Sequence, residues 1–188
     1  FMNGHSDAIA GSITASKEMI DAIHPVRMLC GTSGDPGAAW MIMRGIQTLD
    51  LRLKKQMKNA AILAEALEKN KHVVKVNHPS LESFPQHELA MKIFKSKETM
   101  TGMMSFIVPE DEEKLNKFME KLYFAHYATT LGGIRTTIQH PVTSSHSHMP
   151  DEARRAMGIT PGLFRLSVGI EDVNDLIADF EQALKVFD

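Results

Sequence analysis

The clearest hydrophobic pattern lies at the end of the chain. Val173, Leu176, Ile177, Phe180, Leu184 and Phe187 fall at offsets 0, 3, 4, 7, 11 and 14, which places them on one stripe of an amphipathic helix. Residues 38–69 form a longer run of helix formers. Met41, Leu49, Leu51, Met57, Ala60, Leu63 and Leu67 supply its apolar positions, and Arg52, Lys54, Lys55 and Lys58 are expected on its solvated side. So long a run is unusual for one globular helix, and a break is expected near Thr48-Leu49-Asp50. Ser16 ahead of Lys17-Glu18-Met19-Ile20 offers a capping hydroxyl to an earlier helix. Residues 8–15 alternate and suit a short strand; 72–76, 102–108 and 163–169 suit further strands, and 86–95 and 110–122 helices. The turn formers of Gly31-Thr32-Ser33-Gly34-Asp35-Pro36-Gly37 predict a loop, as does the stretch from Pro79 to Pro85. Strands and helices that alternate in this way argue for an α/β sandwich, with helices on one side of a small sheet. Residues 1–50 are too few to bury a core alone. They read as the tail of a larger domain, and 51–188 as a compact C-terminal domain.

Composition narrows the function classes. Hydrophobic residues make up 43% and charged residues 23% of the 188, which predicts a packed globular core. A formal net charge of -2 gives no electrostatic case for nucleic acid or an acidic membrane surface. No apolar stretch approaches the roughly 20 residues that span a bilayer. The single cysteine, Cys30, excludes an internal disulfide and fits a reducing compartment, so cytoplasm is expected. Cys30 itself reads as a small buried filler, and the 13 methionines as flexible core packing.

Chemistry enters with short motifs. The chain opens on Phe1-Met2-Asn3-Gly4-His5-Ser6-Asp7. Arg44-Gly45-Ile46-Gln47-Thr48-Leu49 follows, then Thr130-Leu131-Gly132-Gly133, His140-Pro141, and Arg165-Leu166-Ser167-Val168-Gly169-Ile170-Glu171-Asp172. In this order the set resembles the pyridoxal-phosphate enzymes of cysteine and methionine metabolism, of the cystathionine γ-synthase, cystathionine γ-lyase and methionine γ-lyase type. The resemblance covers essentially all 188 residues and only the C-terminal half of such an enzyme. It implies the fold type I, aspartate-aminotransferase-like architecture: the tail of the large cofactor-binding domain plus an α/β small domain. It also implies pyridoxal 5'-phosphate as cofactor, with the Schiff-base lysine immediately before Phe1 and no catalytic residue in the 188.

Arg165 is the strongest candidate. A guanidinium on a strand between Phe164 and Leu166 needs an anionic partner, and its planar fork suits a carboxylate. From the residues alone that partner is either a substrate or one of the 23 acidic side chains. The resemblance implies that Arg165 binds the α-carboxylate of an amino-acid substrate. Thr130 and Leu131 lie in a glycine-punctuated loop that suits backbone approach to a ligand. In similar enzymes serine stands at the position of Thr130 and helps hold that carboxylate. Arg135 is a departure, since glutamate commonly follows Gly-Gly-x there, near the distal part of the substrate. The change leaves a substrate with a distal anionic group and a plain surface arginine both open. His140, His146 and His148 lack the spacing of a zinc motif, and His5 and Asp7 read as scaffold for the lysine loop.

What the resemblance implies overall is γ-elimination or γ-replacement on a sulfur amino acid or an activated homoserine. A tryptophan found in this loop of some β-lyases is absent, Trp40 lying elsewhere, which favours γ-chemistry. Cystathionine β-lyase and O-acetylhomoserine sulfhydrylase are the alternatives within the family. A non-catalytic fragment or a binding domain is the alternative outside it. A homo-oligomer, as a tetramer of paired subunits, is the implied assembly.

Overall fold

A computed structural model describes all 188 residues. Three helices come first: α1 (Lys17–Cys30), α2 (Pro36–Ile46) and α3 (Leu49–Glu68). Ser16 caps α1 by accepting the Met19 N–H at 3.4 Å. The expected break falls between α2 and α3, at Gln47 and Thr48. The expected strand over 8–15 does not form. These residues are irregular and mostly exposed, because no neighbouring strand is present to take up the alternating backbone groups. The loop expected over 31–37 is shorter, since Asp35 accepts the Ala38 N–H at 2.6 Å and Pro36 opens α2. Proline at the first helical position loses no hydrogen bond, and its fixed φ suits a helix start.

The remaining elements are β1 (Lys75–Asn77), α4 (His87–Ile93), β2 (Met103–Ile107), α5 (Glu112–Lys121), β3 (His126–Tyr127), β4 (Thr137–Gln139), α6 (Asp151–Ala156), β5 (Leu163–Ser167) and α7 (Val173–Leu184). The five strands make one sheet in the order β1-β2-β5-β4-β3, antiparallel except for the β3–β4 pair. Phe164 and Leu166 of β5 and Met104 and Phe106 of β2 join one apolar cluster with Leu63 and Leu67 of α3, Leu115 and Phe118 of α5, and Leu176 and Phe180 of α7. Phe106, Phe118, Phe164 and Phe180 pack at ring-centroid distances of 5.3 to 6.3 Å. Asp179 of α7, itself buried, accepts the backbone N–H groups of Tyr123, Phe124 and Ala125. That carboxylate fixes the chain leading into β3.

Several burial expectations are corrected. Arg52, expected on the solvated side of α3, is 5% exposed, whereas Leu51, expected inside, is 71% exposed. Cys30 is exposed rather than a buried filler, because α1 buries no side chain at all. Of the methionines, only Met100 and Met104 are buried.

His78 gives the fold a pH dependence. It is fully buried; its Nδ1 accepts the Ser80 N–H at 3.3 Å, and its Nε2–H donates to the Thr101 carbonyl at 3.2 Å. Those partners define a neutral ring. Burial pushes its pKa below the ordinary histidine value, with the Thr101 bond acting weakly against that. The unfolded chain therefore binds more protons below about pH 6.5, so stability is full above that pH and falls on acidification. The denaturant midpoint is expected to drop between pH 7 and 5, and to drop less in His78→Asn; equal slopes would contradict this. Asp151, held low by Arg155, and Asp188, held low by Lys71, lose their contribution only as pH falls below about 4.

Candidate active site

β5 has two faces. Phe164 and Leu166 enter the core, and alternation sends Arg165 and Ser167 to the other side. Cross-strand register then lines up Asn77, Ser105, Arg165 and Gln139 in one polar row across four strands. Asn77 donates to the Ser105 hydroxyl at 3.0 Å and Gln139 to the Ser144 hydroxyl at 2.9 Å. Arg165 is half-buried and forms no ion pair with any of the chain's acids. Its Nη2 donates to the Thr129 carbonyl at 3.1 Å, while its Nε is buried without a partner. Burial pushes the guanidinium pKa down, the signature of a charge held out of water without an anion beside it.

The 129–133 loop is tied down by side chains from three elements. Thr137 Oγ1 donates to the Thr130 carbonyl at 3.1 Å, the Gly132 N–H donates to Ser167 Oγ at 2.8 Å, and Gln56 donates to the Gly133 carbonyl at 2.6 Å. Thr130 and Leu131 keep their side chains exposed at its tip. Gly132 has φ +72, and a Cβ there would lie 2.5 Å from the Phe1 nitrogen. Any side chain would therefore be strained and would displace the start of the chain. Phe1 thus sits against the same loop that Arg165 touches.

Phe1 and Met2 are held from the other side by Arg52. Its guanidinium donates to the carbonyls of Phe1 at 3.1 Å, Met2 at 3.3 Å and Gly45 at 2.8 Å, and its Nε to Thr48 Oγ1 at 3.1 Å. His5 and Asp7 do not pair with each other. The His5 ring bonds the Asn3 carbonyl, and the Asp7 carboxylate accepts from the Asn3 amide. An open cleft of about 340 Å³ runs between His5 and Ser6 on one side and His126, Thr130, Arg135 and Thr137 on the other. Thr130 and Arg135 share it; Arg165 and Leu131 do not line it.

The rest of the Arg165–Asp172 run has visible structural work. Glu171 accepts the N–H and hydroxyl of Thr136, and Asp172 caps α7 through the Asn174 N–H at 2.8 Å. His140 is buried with Nε2 on the Pro161 carbonyl at 2.7 Å and Nδ1 against Thr143. His146 bonds Ser145 instead, and no group of three His, Cys, Asp or Glu side chains is arranged to hold a metal ion. Arg52 was expected in solvent, and Gln56 and Asn59 carried no expectation. The signal was present, because they fall in register with Leu63 and Leu67 on the buried stripe of α3.

The profile of the Cys/Met metabolism PLP-dependent enzymes matches residues 1–185. The chain belongs to that family. It is 42% identical to the L-methionine gamma-lyase of Treponema denticola over 186 residues, 98% of this chain and 46% of that protein. Its identity to the cystathionine beta-lyase of Lactococcus lactis subsp. cremoris is 39%, over 98% of this chain and 48% of that one. A solved structure of cystathionine gamma synthase from Xanthomonas oryzae pv. oryzae, in complex with cystathionine, matches with a TM-score of 0.91 and 35% identity, covering 98% of this chain and 47% of the other. The architecture is that of a fold type I fragment of this PLP-dependent family. The chain spans about half the length of the curated relatives it matches. Arg165, with a buried Nε that has no acceptor and no acid paired to its guanidinium, has the chemistry to take a carboxylate.

Proposed function

We propose that this chain forms the substrate side of a pyridoxal-phosphate-dependent enzyme, one that carries out γ-elimination or γ-replacement on a sulfur amino acid or an activated homoserine. The observation that carries the reading is Arg165: a guanidinium without an acidic partner, in a polar row, against the glycine-rich loop. When bound, the cofactor supplies an electron sink for the carbon bearing the amine. Arg165 grips the substrate carboxylate through two parallel N–H groups and so fixes the direction of the Cα–H bond. Thr130 adds a hydroxyl beside that carboxylate, and Leu131 an apolar wall. Residues 1–50 belong to the cofactor-holding domain and 51–188 to the small domain, in line with a core drawn from Ala60 onward.

Relatives named methionine γ-lyase support γ-chemistry, and a relative named cystathionine β-lyase keeps β-elimination as the second reading. The intact gene product, supplied with pyridoxal phosphate, is tested with L-methionine and L-cystathionine. Release of 2-oxobutanoate supports the γ-reading, and pyruvate from cystathionine supports the β-reading. No keto acid and no visible absorption band would leave a non-catalytic relative. We place the enzyme in the cytoplasm, in line with its single cysteine; no helix is long and apolar enough to cross a membrane. Exposed Leu29, Trp40 and Met43 on α1 and α2 fit burial against further protein in a homotetramer, which light scattering checks.

Arg135 is exposed at the cleft it shares with Thr130 and makes no ion pair. There it favours a substrate with a distal carboxylate or other anion. Arg135→Glu is expected to lower kcat/KM for such substrates by roughly tenfold relative to L-methionine, as for an exposed charge pair turned repulsive. An unchanged ratio across substrates would make Arg135 a surface residue.

A further inference from the structure

The core-facing side of α3 is apolar in its second half and polar in its first. Ala60, Ala61, Leu63, Ala64 and Leu67 are buried, and so are Arg52, Gln56 and Asn59 one to two turns earlier. Each of these three reaches a different stretch of backbone, and each stretch belongs to the site. Arg52 donates to the carbonyls of Phe1, Met2 and Gly45. Gln56 donates to the Gly133 carbonyl at 2.6 Å, at the base of the loop carrying Thr130 and Leu131. Asn59 donates to the carbonyls of Gly169 at 3.1 Å and Glu171 at 2.8 Å, just past the strand carrying Arg165.

Stability alone does not account for this choice of residues. Gln56 Oε1 and Asn59 Oδ1 are buried without a partner, a cost that methionine or leucine of similar size would not carry. Arg52 is a buried cation whose hydrogen bonds all go to neutral oxygens, so no ion pair offsets its desolvation. What the three polar side chains add is direction: donors at fixed heights on one rigid helix. Gly4 is adapted to the first of them. It has φ +70, and a Cβ there would lie 1.8 Å from Arg52 Nη1.

We propose that Arg52, Gln56 and Asn59 are positioning residues, with which α3 sets the start of the chain, the 129–133 loop and the Arg165 strand at fixed distances from one another. None touches substrate; each acts through the backbone it holds. The proposal rests on the enzyme reading above for the meaning of the site, but its geometry is tested independently of turnover.

The test is hydrogen exchange on the intact gene product, in the wild type and in Arg52→Met, Gln56→Met and Asn59→Leu. Each variant is expected to speed exchange roughly tenfold or more in its own segment, from the loss of one hydrogen bond for Gln56, two for Asn59 and four for Arg52. Those segments are residues 45–48 for Arg52, where the Thr48 N–H bonds the Gly45 carbonyl, 131–134 for Gln56 and 169–172 for Asn59, with the rest of the chain unchanged. In an active enzyme, kcat/KM should fall about tenfold while the thermal midpoint moves by only a few degrees. Arg52→Lys, which keeps a donor but not the fork, should restore part of it. Exchange that rises everywhere, or nowhere, overturns the proposal. So does selective loosening in an active enzyme whose kinetics stay wild-type. Selective loosening in a protein that turns over no sulfur amino acid supports the role of α3 and overturns the enzyme reading alone.

Discussion

Arg165→Ala in the intact enzyme is expected to lower kcat/KM for its amino-acid substrate by roughly 10²–10³, the usual consequence of truncating one partner of a buried, hydrogen-bonded charge pair. The case rests on what Arg165 lacks. It has one internal bond, to the Thr129 carbonyl, no carboxylate among its neighbours and a buried Nε with no acceptor. An arginine so placed costs the fold desolvation without a compensating ion pair. Loss of activity should therefore come with a thermal midpoint that is unchanged or raised, the pattern of a residue kept for function against stability. Arg165→Lys keeps the charge but not the planar fork, and should fall between wild type and alanine, with the larger effect on KM. Steady-state kinetics with a thermal melt on each variant checks all of this. A melt that collapses in Arg165→Ala, with normal turnover per folded molecule, would make the arginine a structural residue and remove the observation on which the enzyme reading stands.

The helices were legible where one pattern settles them. The stripe from Val173 to Leu184, the Ser16 cap and the break after Ile46 all reflect local chemistry, and all appear in the structure; a tighter 3₁₀ turn, Lys185–Phe187, carries Phe187. The small strands were not. β3 and β4 contain two and three residues, too few for alternation to show, and they exist because β5 and the Asp179 carboxylate hold them in place. Residues 8–15 failed in the opposite way, with alternation present and no strand to pair with. At the site, the sequence pointed to Arg165 through the cost of an arginine between two core residues. It could not separate a substrate from an internal acid; in the structure no acid pairs with Arg165, whose one bond goes to the Thr129 carbonyl. Arg52 was misjudged because a positive charge on a helix is usually solvated. Its spacing to Gln56, Asn59 and Leu63 carried the contrary information.

Phe164→Ala is expected to cost about 3–5 kcal/mol of folding stability, the usual range for deleting a buried aromatic ring. Phe164 is fully buried, with its ring 5.6 Å from Phe106, 5.3 Å from Phe118 and 5.2 Å from His140. The sheet, α5 and the segment after β4 thus all lose a contact surface at once. A cavity of that size closes poorly, because Phe106 and Phe118 are themselves fully buried and held by Phe180. Phe164→Leu keeps most of the volume and should cost about 1–2 kcal/mol, near the range of volume-conserving swaps. Denaturant unfolding of both variants checks the ratio. Phe164 is also the residue before Arg165, so the same ring that fills the core sets the height of the guanidinium on the opposite face. In Phe164→Leu the folded enzyme should keep its kcat within a few-fold, since the strand register is held by β2 and β4 on either side. If Phe164→Leu instead lost activity out of proportion to stability, the polar row would depend on exact core packing, and Arg165 would be positioned from beneath as well as from its own strand.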